Sequence, residues 1–538
     1  MTRERRERLF AFGLTAAVFA FVLYPQFGYV PIWDGRVYAN CAVEAAASGI
    51  TLESLRCAGH PSQGYAFLLA ASQLGRLGDV SLLHLTNTLL GLGALASIRI
   101  ALQALFPSPA LARELDLLTL ACAVHPVLLS TLIQVNVDFG VYAFFFMMLA
   151  ALLAERFTWA AGAGLLLCFS KETGVLVYGL TLGLYAIFRM SAGSGLLKER
   201  LRRLAPMSVT PAPLVAFVVH VLWWNRTHTQ AAVWKHGWQA GALDGFTFFD
   251  FTDPIFVSYA AGLFLLGFMW VVSVVIGADL AVAGVRMARR LPGRSVPGAD
   301  VRMLTFLGVL TAVLTYALTS FRTWSNLRYF ALLYPLLVVL AFGALVRLGV
   351  GARGRTVTLG LWILLFSWAA FRSADPVSRR IYGTFSIGDR EMYRMASITG
   401  EFSGPGRDQL VYNLEFTGFH DLQNALFRRL RPTDSTAIVT SRTVRWNIWS
   451  QIDARTMRRT LERHDVIVPR YLDEVDLAAM PTKPRDAWFL DFSNHADSDR
   501  ALESLGALYR DQEIVRVRSR GHVLSAHHLV RRESPVLP

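Results

Sequence analysis

The chain alternates long apolar runs with short polar segments from residue 9 to residue 372. A helix needs about 20 mainly apolar residues to cross the hydrocarbon core of a bilayer. Runs of this kind lie at 9–30, 82–106, 115–134, 139–154, 157–170, 172–190, 206–224, 254–282, 303–321, 328–346 and 356–372. The pattern predicts a polytopic α-helical membrane protein with about eleven membrane-spanning helices. A shorter apolar stretch at 62–75 predicts an interfacial or re-entrant helix.

The polar segments between these runs differ in the sign of their charge. Lysine and arginine are concentrated at the N-terminus and at 99–113, 189–203, 286–302 and 347–355, whereas the intervening segments carry acids. Basic residues are retained on the cytoplasmic side of membranes. The pattern therefore predicts a cytoplasmic N-terminus, a first external loop at 31–81 and an extracytoplasmic C-terminus. The first apolar run is too long for a cleaved signal peptide and predicts a retained anchor.

Composition agrees with a membrane protein. Hydrophobic residues make up 54% of the 538 residues, charged residues make up 17%, and the mean hydropathy is +0.39. A soluble chain carries about 25% charged residues. The formal net charge of +14 would suit a nucleic-acid partner, but the basic residues lie between apolar runs and not along one stripe. We therefore expect contact with membrane lipids and no nucleic-acid partner.

The C-terminal region, 373–538, has a different pattern. Short β-like runs, among them "DQLVYNLEF", "STAIVT", "AWFLDF" and "EIVRVRS", alternate with stretches of helical spacing such as "LDEVDLAAM". This alternation predicts a soluble α/β domain. The chain is thus expected to divide into a transmembrane domain, 1–372, and an extracytoplasmic α/β domain, 373–538.

The four cysteines carry limited information. Cys122 and Cys168 lie in apolar runs, where cysteine serves as a small packing residue. Cys41 and Cys57 share the polar segment after the first span. If that segment lies outside the cytoplasm, a disulfide between them is chemically allowed. The sequence leaves its formation open.

Several short motifs occur in the order found in one superfamily of membrane enzymes. An acid and a tyrosine follow the first predicted span in "DGRVY", Asp34 to Tyr38, and "GHPSQGYAFLLA" follows in the same loop. A second acid, Asp138, opens a later run, "FSKETG" supplies Lys171, and "NLRYFALLYPLL" supplies Arg328. In this order the motifs resemble the GT-C superfamily of membrane glycosyltransferases, in particular the bacterial relatives of protein O-mannosyltransferase and aminoarabinose transferase.

The resemblance implies an inverting glycosyltransferase of the bacterial inner membrane. Such an enzyme moves a sugar from a polyprenyl-phosphate donor to an extracytoplasmic acceptor of the cell envelope, which is a lipid, a polysaccharide or a protein. The reaction needs a base beside the acceptor, fixed positive charge at the phosphate and an apolar groove for the lipid. Gly35 stands where the family usually carries a second acid. This departure weakens any assignment of substrate or metal by analogy.

The resemblance also selects the candidate site residues. Asp34 is the candidate general base and Asp138 the candidate second catalytic acid, although both also stand where a helix N-cap residue belongs. Lys171, Arg328 and Arg322 are the candidate ligands of the lipid phosphate. Snorkelling at the end of a span would place a lysine or an arginine there as well.

Three further residues, Glu172, His60 and Tyr38, are secondary candidates on the acceptor side of the site. A divalent metal ion is left open as a cofactor. His228 and His236 show no metal-binding spacing with a third ligand.

Two other classes of protein would share this topology. A transporter or flippase of lipid-linked glycans would need charged or broken segments deep within spans and repeat symmetry, whereas the acids lie at predicted span ends. A non-catalytic membrane scaffold with an external domain would not need Asp34. Convergence of Asp34, Asp138, Lys171 and Arg328 on one cavity would favour the glycosyltransferase.

Overall fold

The structure of the protein is a computed structural model, which describes residues 3–28, 31, 34–57, 62–191, 197–227, 252, 254–289, 299–320, 327–372, 374–387, 390–393, 409–410, 413–414, 425, 429–430, 437–440, 470–492, 496–519 and 522–532. Its helices up to residue 382 are α1 (Arg3–Leu23), α2 (Asp34–Ser48), α3 (Gln63–Gln73), α4 (Val80–Leu105), α5 (Ala112–Ala123), α6 (Pro126–Gln134), α7 (Val137–Leu153), α8 (Phe157–Cys168), α9 (Glu172–Met190), α10 (Leu197–Arg202), α11 (Ala212–Thr227), α12 (Pro254–Phe264), α13 (Met269–Ala288), α14 (Val301–Thr319), α15 (Leu333–Arg347), α16 (Ala352–Phe371) and α17 (Pro376–Tyr382). Every apolar run predicted to span the membrane contains a helix, which confirms the polytopic helical fold.

The helices differ in how fully they could cross a bilayer. Among the described residues, six segments are long and apolar enough to do so, at Val80–Leu105, Glu172–Met190, Ala205–Trp224, Leu266–Ala288, Val301–Thr319 and Ala352–Phe371. Shorter apolar helices lie at Gly13–Gln26, Val137–Leu153, Phe157–Cys168 and Leu333–Arg347.

The predicted span 115–134 is broken in the structure. Its two halves, α5 with the turn before it and α6, bend by 56° relative to each other. His125 is extended, with φ −61° and ψ 130°, and precedes Pro126. A proline disfavours helical geometry in the residue before it and lacks the N–H that would continue the helix. Beyond the bend, α6 ends at Gln134 directly against Gly35 at the start of α2.

The predicted span 254–282 is also broken, by a 3-10 turn between α12 and α13. Gly267 and Phe268 have positive φ angles of 63° and 68° in this turn. The carboxylate of Asp375 accepts a hydrogen bond from the Gly267 amide at 2.9 Å and another from the Tyr393 hydroxyl at 2.7 Å. The start of the C-terminal region is therefore hydrogen-bonded to a helix break of the membrane domain.

Segments that the sequence assigns to the cytoplasmic side meet one another. Arg189 Nη1 lies 2.6 Å from Glu155 Oε1, and its Nε donates to the carbonyl of Arg203 at 2.9 Å. Arg302 donates to the carbonyl of Phe188. The grouping of these segments agrees with the predicted topology, whereas the orientation of the two termini stays a prediction.

The C-terminal region contains a two-stranded and a five-stranded sheet. The strands are β1 (Thr384–Ile387), β2 (Arg390–Tyr393), β3 (Ala437–Thr440), β4 (Arg470–Asp473), β5 (Asp486–Phe492), β6 (Tyr509–Ser519) and β7 (His522–Arg531), with the helices α18 (Glu474–Ala479) and α19 (Ala496–Leu505). The larger sheet has the order β4-β3-β5-β7-β6. β3 is parallel to β4 and β5, whereas β5, β7 and β6 are antiparallel. This small mixed sheet confirms the α/β class predicted for the region.

The described residues form two apolar cores with a clear division along the chain. The second core begins at Ala437 and lies under the five-stranded sheet. Tyr382, Tyr393 and Leu410 instead belong to the core of the membrane domain. The strand predicted at "DQLVYNLEF" is wrong where the structure describes it, because Leu410, Asn413 and Leu414 are helical. Burial against the membrane domain outweighs the alternating pattern there.

Two truncated chains should show which residues the membrane-domain core needs for stability. A stop after residue 430 keeps Asp375, Tyr393 and Asn413, and we expect it to leave the melting temperature of the membrane domain within a few degrees of the full chain. A stop after residue 372 removes the acceptor of the Gly267 amide and leaves that buried group unpaired. We expect this shorter chain to aggregate. Fluorescence-detected gel filtration of both chains in detergent measures the difference, and equal behaviour would contradict the assignment of 375–414 to the membrane core.

Candidate active site

Four charged side chains from separate segments meet at one place. Asp34 begins α2, Asp138 is the second residue of α7, Lys171 precedes α9, and Arg328 lies in the 3-10 turn Leu327–Phe330. Lys171 Nζ donates to Asp138 Oδ1 at 2.6 Å, and Arg328 Nε lies 3.2 Å from Asp138 Oδ2. Arg328 Nη2 forms an ion pair with Asp34 Oδ2. The structure thus brings together the four residues that the sequence selected first.

The four side chains differ in how far they are exposed to solvent. Arg328 is 2% exposed, Asp138 is 5% exposed and Lys171 is 10% exposed. Asp34, in contrast, is 45% exposed. A substrate can therefore reach the carboxylate of Asp34 without rearrangement, whereas Asp138 is enclosed between the two cations.

A strained turn places Asp138. Val135, between α6 and α7, is buried and has the left-handed angles φ 51° and ψ 55°, which are costly for a β-branched residue. The next residue, Asn136, caps α7 through its side chain, which accepts from the Asp138 amide at 3.2 Å. The sequence interpretation of Asp138 as the cap of this helix is therefore wrong. Its carboxylate is left available for Lys171 and Arg328.

Lys171 remains charged although it is buried. Burial lowers the pKa of its ammonium group, but the charge of Asp138, its hydrogen bond and the neighbouring Tyr329 together raise the pKa above its ordinary value. Its Nζ also lies 4.0 Å from the centre of the Tyr329 ring, a cation–π contact. With Arg328, Lys171 supplies two fixed positive charges under the exposed carboxylate of Asp34.

Tyr38 lies one turn after Asp34 on α2 and is buried against the cluster. Burial, followed by the negative charges of Asp138 and Asp34, raises the pKa of its hydroxyl well above the ordinary value of 10.0. The phenol therefore keeps its proton at neutral pH. Tyr38 is suited to donate a hydrogen bond at the site and unsuited to act as its base.

Gln134 belongs to the site although the sequence analysis missed it. Its Oε1 accepts from Arg328 Nη1 at 3.2 Å. A Cβ atom on Gly35 would lie 1.5 Å from the carbonyl oxygen of Gln134. This contact explains why glycine stands where the GT-C pattern has a second acid, since no side chain fits. The only sequence signal for Gln134 is a polar residue at the predicted end of an apolar run.

Of the remaining candidates, the structure describes Glu172 but not His60 or Arg322. Glu172 begins α9, and its charge acts on Tyr38 and on Arg56 of the first external loop.

The acids at this site do not fit a metal ion. Both carboxylates that converge there are held by cationic side chains, Asp138 by Lys171 and Arg328, and Asp34 by Arg328. A divalent cation would have to compete with two positive charges at a distance of a few ångströms. Within the described ranges, no three residues of histidine, cysteine, aspartate or glutamate are grouped to hold a metal.

A small pocket opens beside the ion pairs. Asp138, Arg328 and Tyr329 form its polar wall, and Val141 and Leu332 contribute to its apolar wall.

A disulfide fixes the helix that carries Asp34. Cys41 on α2 is bonded to Cys57, with 5.9 Å between their Cα atoms and a separation of 16 residues. The disulfide that the sequence left open is therefore present. It connects α2 to the segment that leads into α3.

Removing this disulfide should destabilise α2 and the segment that leads from it to α3. We expect the double change Cys41→Ser and Cys57→Ser to lower the free energy of unfolding by about 3 kcal/mol, because a bond closing a loop of this length restricts the unfolded chain by that amount. Thermal unfolding in detergent, with and without a reducing agent, measures the effect. The reducing agent should lower the melting temperature of the native protein and leave that of the variant unchanged, and the opposite result would contradict the assignment.

Together, the fold and the site define a polytopic helical membrane protein with an acid–cation cluster where several helices begin. Neither a protein-family model nor a curated protein matches the chain. Among solved structures, the chain is similar to ArnT from Cupriavidus metallidurans bound to undecaprenyl phosphate, with 15% identity, a TM-score of 0.49 and coverage of 96% of this chain and 97% of that one. The apo state of the same protein gives 15% identity, a TM-score of 0.46 and the same coverage.

Proposed function

We propose that this protein is an inverting GT-C glycosyltransferase that moves a sugar from a polyprenyl-phosphate donor to an acceptor outside the cytoplasm. One observation carries the proposal: the half-exposed carboxylate of Asp34 lies against the buried Arg328, with Asp138 and Lys171 behind it. This arrangement supplies a base and fixed positive charge in one place. Sugar transfer from a phosphate requires both.

In the proposed reaction, a hydroxyl or amine of the acceptor attacks the anomeric carbon of the donor sugar. Its proton passes to the carboxylate of Asp34 as the glycosidic bond forms. The bond between the anomeric carbon and the phosphate oxygen breaks, and its electron pair leaves with the phosphate. A single displacement of this kind inverts the anomeric configuration. Because a phosphate leaves without a general acid, one carboxylate is sufficient.

Arg328 has a second task in this proposal. Its guanidinium is nearly fully buried and pairs with Asp34, so a phosphate can bind it directly only by replacing that carboxylate. Guanidinium groups bind carboxylates and phosphates with the same planar geometry. The donor phosphate would therefore exchange with Asp34 at Arg328 and release Asp34 to accept the proton. Asp138, enclosed by the cations, holds them in place during the exchange.

The disulfide supports an extracytoplasmic position for this site. Disulfides persist in oxidising compartments and are rare in the cytosol, and the Cys41–Cys57 bond lies on the helix that carries Asp34. Nucleotide sugars are cytosolic, so a site on the outer side suits a lipid-linked donor. The acceptor is a lipid, a polysaccharide or a protein of the envelope.

The test uses the full-length protein in lipid nanodiscs with undecaprenyl-phosphate sugars and the matching nucleotide sugars. We expect release of undecaprenyl phosphate from a lipid-linked sugar when envelope lipids or glycans are supplied, and no reaction of the nucleotide sugars. Turnover of a nucleotide sugar alone would contradict the proposed donor. Movement of an intact lipid-linked sugar between leaflets, without its cleavage, would instead identify a flippase, and binding without either process would identify a scaffold.

A further inference from the structure

One residue of the C-terminal region is inserted into the membrane domain. Asn413 is fully buried, and its Nδ2 donates to Ser130 Oγ on α6 at 2.7 Å. Its backbone carbonyl accepts from Gln26 Nε2, just beyond α1, at 3.2 Å. Leu410 and Leu414, on either side of Asn413, pack in the core of the membrane domain. This segment is therefore docked on both α6 and the end of α1.

The contact of Asn413 continues to the charged site. Gln134, one turn after Ser130 on α6, donates from Nε2 to Ser130 Oγ at 3.3 Å. The other end of the same amide, Oε1, accepts from Arg328 Nη1 at 3.2 Å. Asn413, Ser130, Gln134 and Arg328 thus form one connected series of hydrogen bonds, here called the amide relay.

Chemistry fixes the direction of the bond between Arg328 and Gln134 in the amide relay. A guanidinium has donors only, so Gln134 must turn its carbonyl oxygen towards Arg328. The amide nitrogen of Gln134 then faces Ser130, whose oxygen accepts from both Gln134 and Asn413. Turning the amide of Gln134 around would place donor against donor at Arg328. Because all of these groups are buried, such a mismatch would be costly.

We propose that Asn413 and Ser130 are positioning residues for the phosphate-binding Arg328, and that the C-terminal region sets the affinity for the donor through them. They touch no reacting atom in this arrangement and act only through Gln134. The inference rests on the proposed function, since it assigns the donor phosphate to Arg328. It also gives the C-terminal region a role in donor binding, beyond any contact with the acceptor.

The experiment measures binding of undecaprenyl phosphate to the full-length protein in nanodiscs. We expect Ser130→Ala and Asn413→Leu each to weaken binding about tenfold, the usual scale for losing a residue that orients a site group. The double variant should bind about as weakly as either single variant, because each change breaks the same relay. Turnover at saturating donor should change less than KM for the donor.

Thr131 provides a matched control. It is the residue after Ser130 on α6, it is buried, and its hydroxyl donates within its own helix, to the carbonyl of Val127 at 2.6 Å. Thr131→Val therefore removes a buried hydroxyl without touching the relay, and we expect unchanged binding. If Ser130→Ala binds as tightly as this control, or if the losses of Ser130→Ala and Asn413→Leu simply add, the proposal is overturned.

A second measurement keeps this proposal separate from the proposed function. Without any ligand, a double-mutant cycle on thermal unfolding should couple Ser130→Ala to Arg328→Lys and leave Thr131→Val uncoupled from it. If native protein fails to bind undecaprenyl phosphate but the coupling is present, the proposed donor is wrong and Arg328 is still positioned by the relay. If the coupling is absent, the positioning role fails whatever the donor proves to be.

Discussion

Replacing Asp34 by asparagine is expected to lower turnover by about 10²-fold or more, the scale for losing a general base. Asparagine keeps the size of the side chain but cannot accept the acceptor proton. Binding of undecaprenyl phosphate should be unchanged or tighter, because the phosphate no longer has to displace a carboxylate from Arg328. Single-turnover kinetics and equilibrium binding on the same preparation separate the two effects.

The matched change at Asp138 should behave differently. Asp138 is enclosed by Lys171 and Arg328, and Asp138→Asn leaves two buried cations with too little negative charge. Breaking a buried ion pair from one side costs about 3–5 kcal/mol. We therefore expect Asp138→Asn to lower the melting temperature strongly and Asp34→Asn to leave it nearly unchanged. Near-normal turnover of Asp34→Asn would remove Asp34 from the role of base.

Introducing a single methyl group at Gly35 should destabilise the protein about as much as Asp138→Asn. A Cβ at this position would lie 1.5 Å from the carbonyl oxygen of Gln134 and 2.8 Å from its carbon. Both are backbone atoms, so α2 and α6 would have to move apart. We expect Gly35→Ala to destabilise the protein by more than about 4 kcal/mol, which is exceptional for one substitution, and to abolish turnover.

Gly179 is a suitable control for this change. It lies within α9, where an added Cβ meets no atom within 4 Å. Gly179→Ala should therefore be harmless or slightly stabilising, since alanine favours a helix over glycine. Expression yield, melting temperature and turnover of the two variants give the comparison. A stable and active Gly35→Ala protein would show that the contact between α2 and α6 is looser than described.

The part of the site that sequence could predict is the part that carries charge. Four charged residues lie at the ends of apolar runs: Asp34, Asp138, Lys171 and Arg328. Burying charge in a membrane costs free energy, so a charged residue there usually has a function. Their convergence follows once each is assigned to the same side of the bilayer. Which of them is exposed does not follow, because exposure depends on the packing of α2 against α6.

The uncharged residues of the site could hardly be recognised from the sequence. Ser130 and Gln134 are neutral polar residues within an apolar run, and such residues often bond within their own helix. Asn413 lies 283 positions from Ser130, and its neighbours alternate in polarity as a strand would. Only the docking of that segment on α6 makes it helical, and no local pattern encodes a contact of this range.

The helix breaks were missed for a related reason. Pro126 is a recognisable local signal for the bend between α5 and α6, but the apolar pattern continues through it and suggests one span. Gly267 is a weaker sequence signal for a helix break than Pro126, because glycine is common within membrane helices. What fixes the break is a hydrogen bond from the Gly267 amide to Asp375, 108 positions away.

The contacts of Asp375 and Asn413 with the helices before residue 372 have a consequence for how this chain can recombine with others. The predicted boundary near residue 372 is a poor site for joining two parent proteins, because Asp375 and Asn413 form hydrogen bonds with residues before it. A chimera joined at that point would combine Ser130, Gln134 and Arg328 from one parent with the residue at position 413 of the other. A graft of the five-stranded sheet should instead keep Asp375 and Asn413 with the parent that supplies α6 and the turn at Gly267.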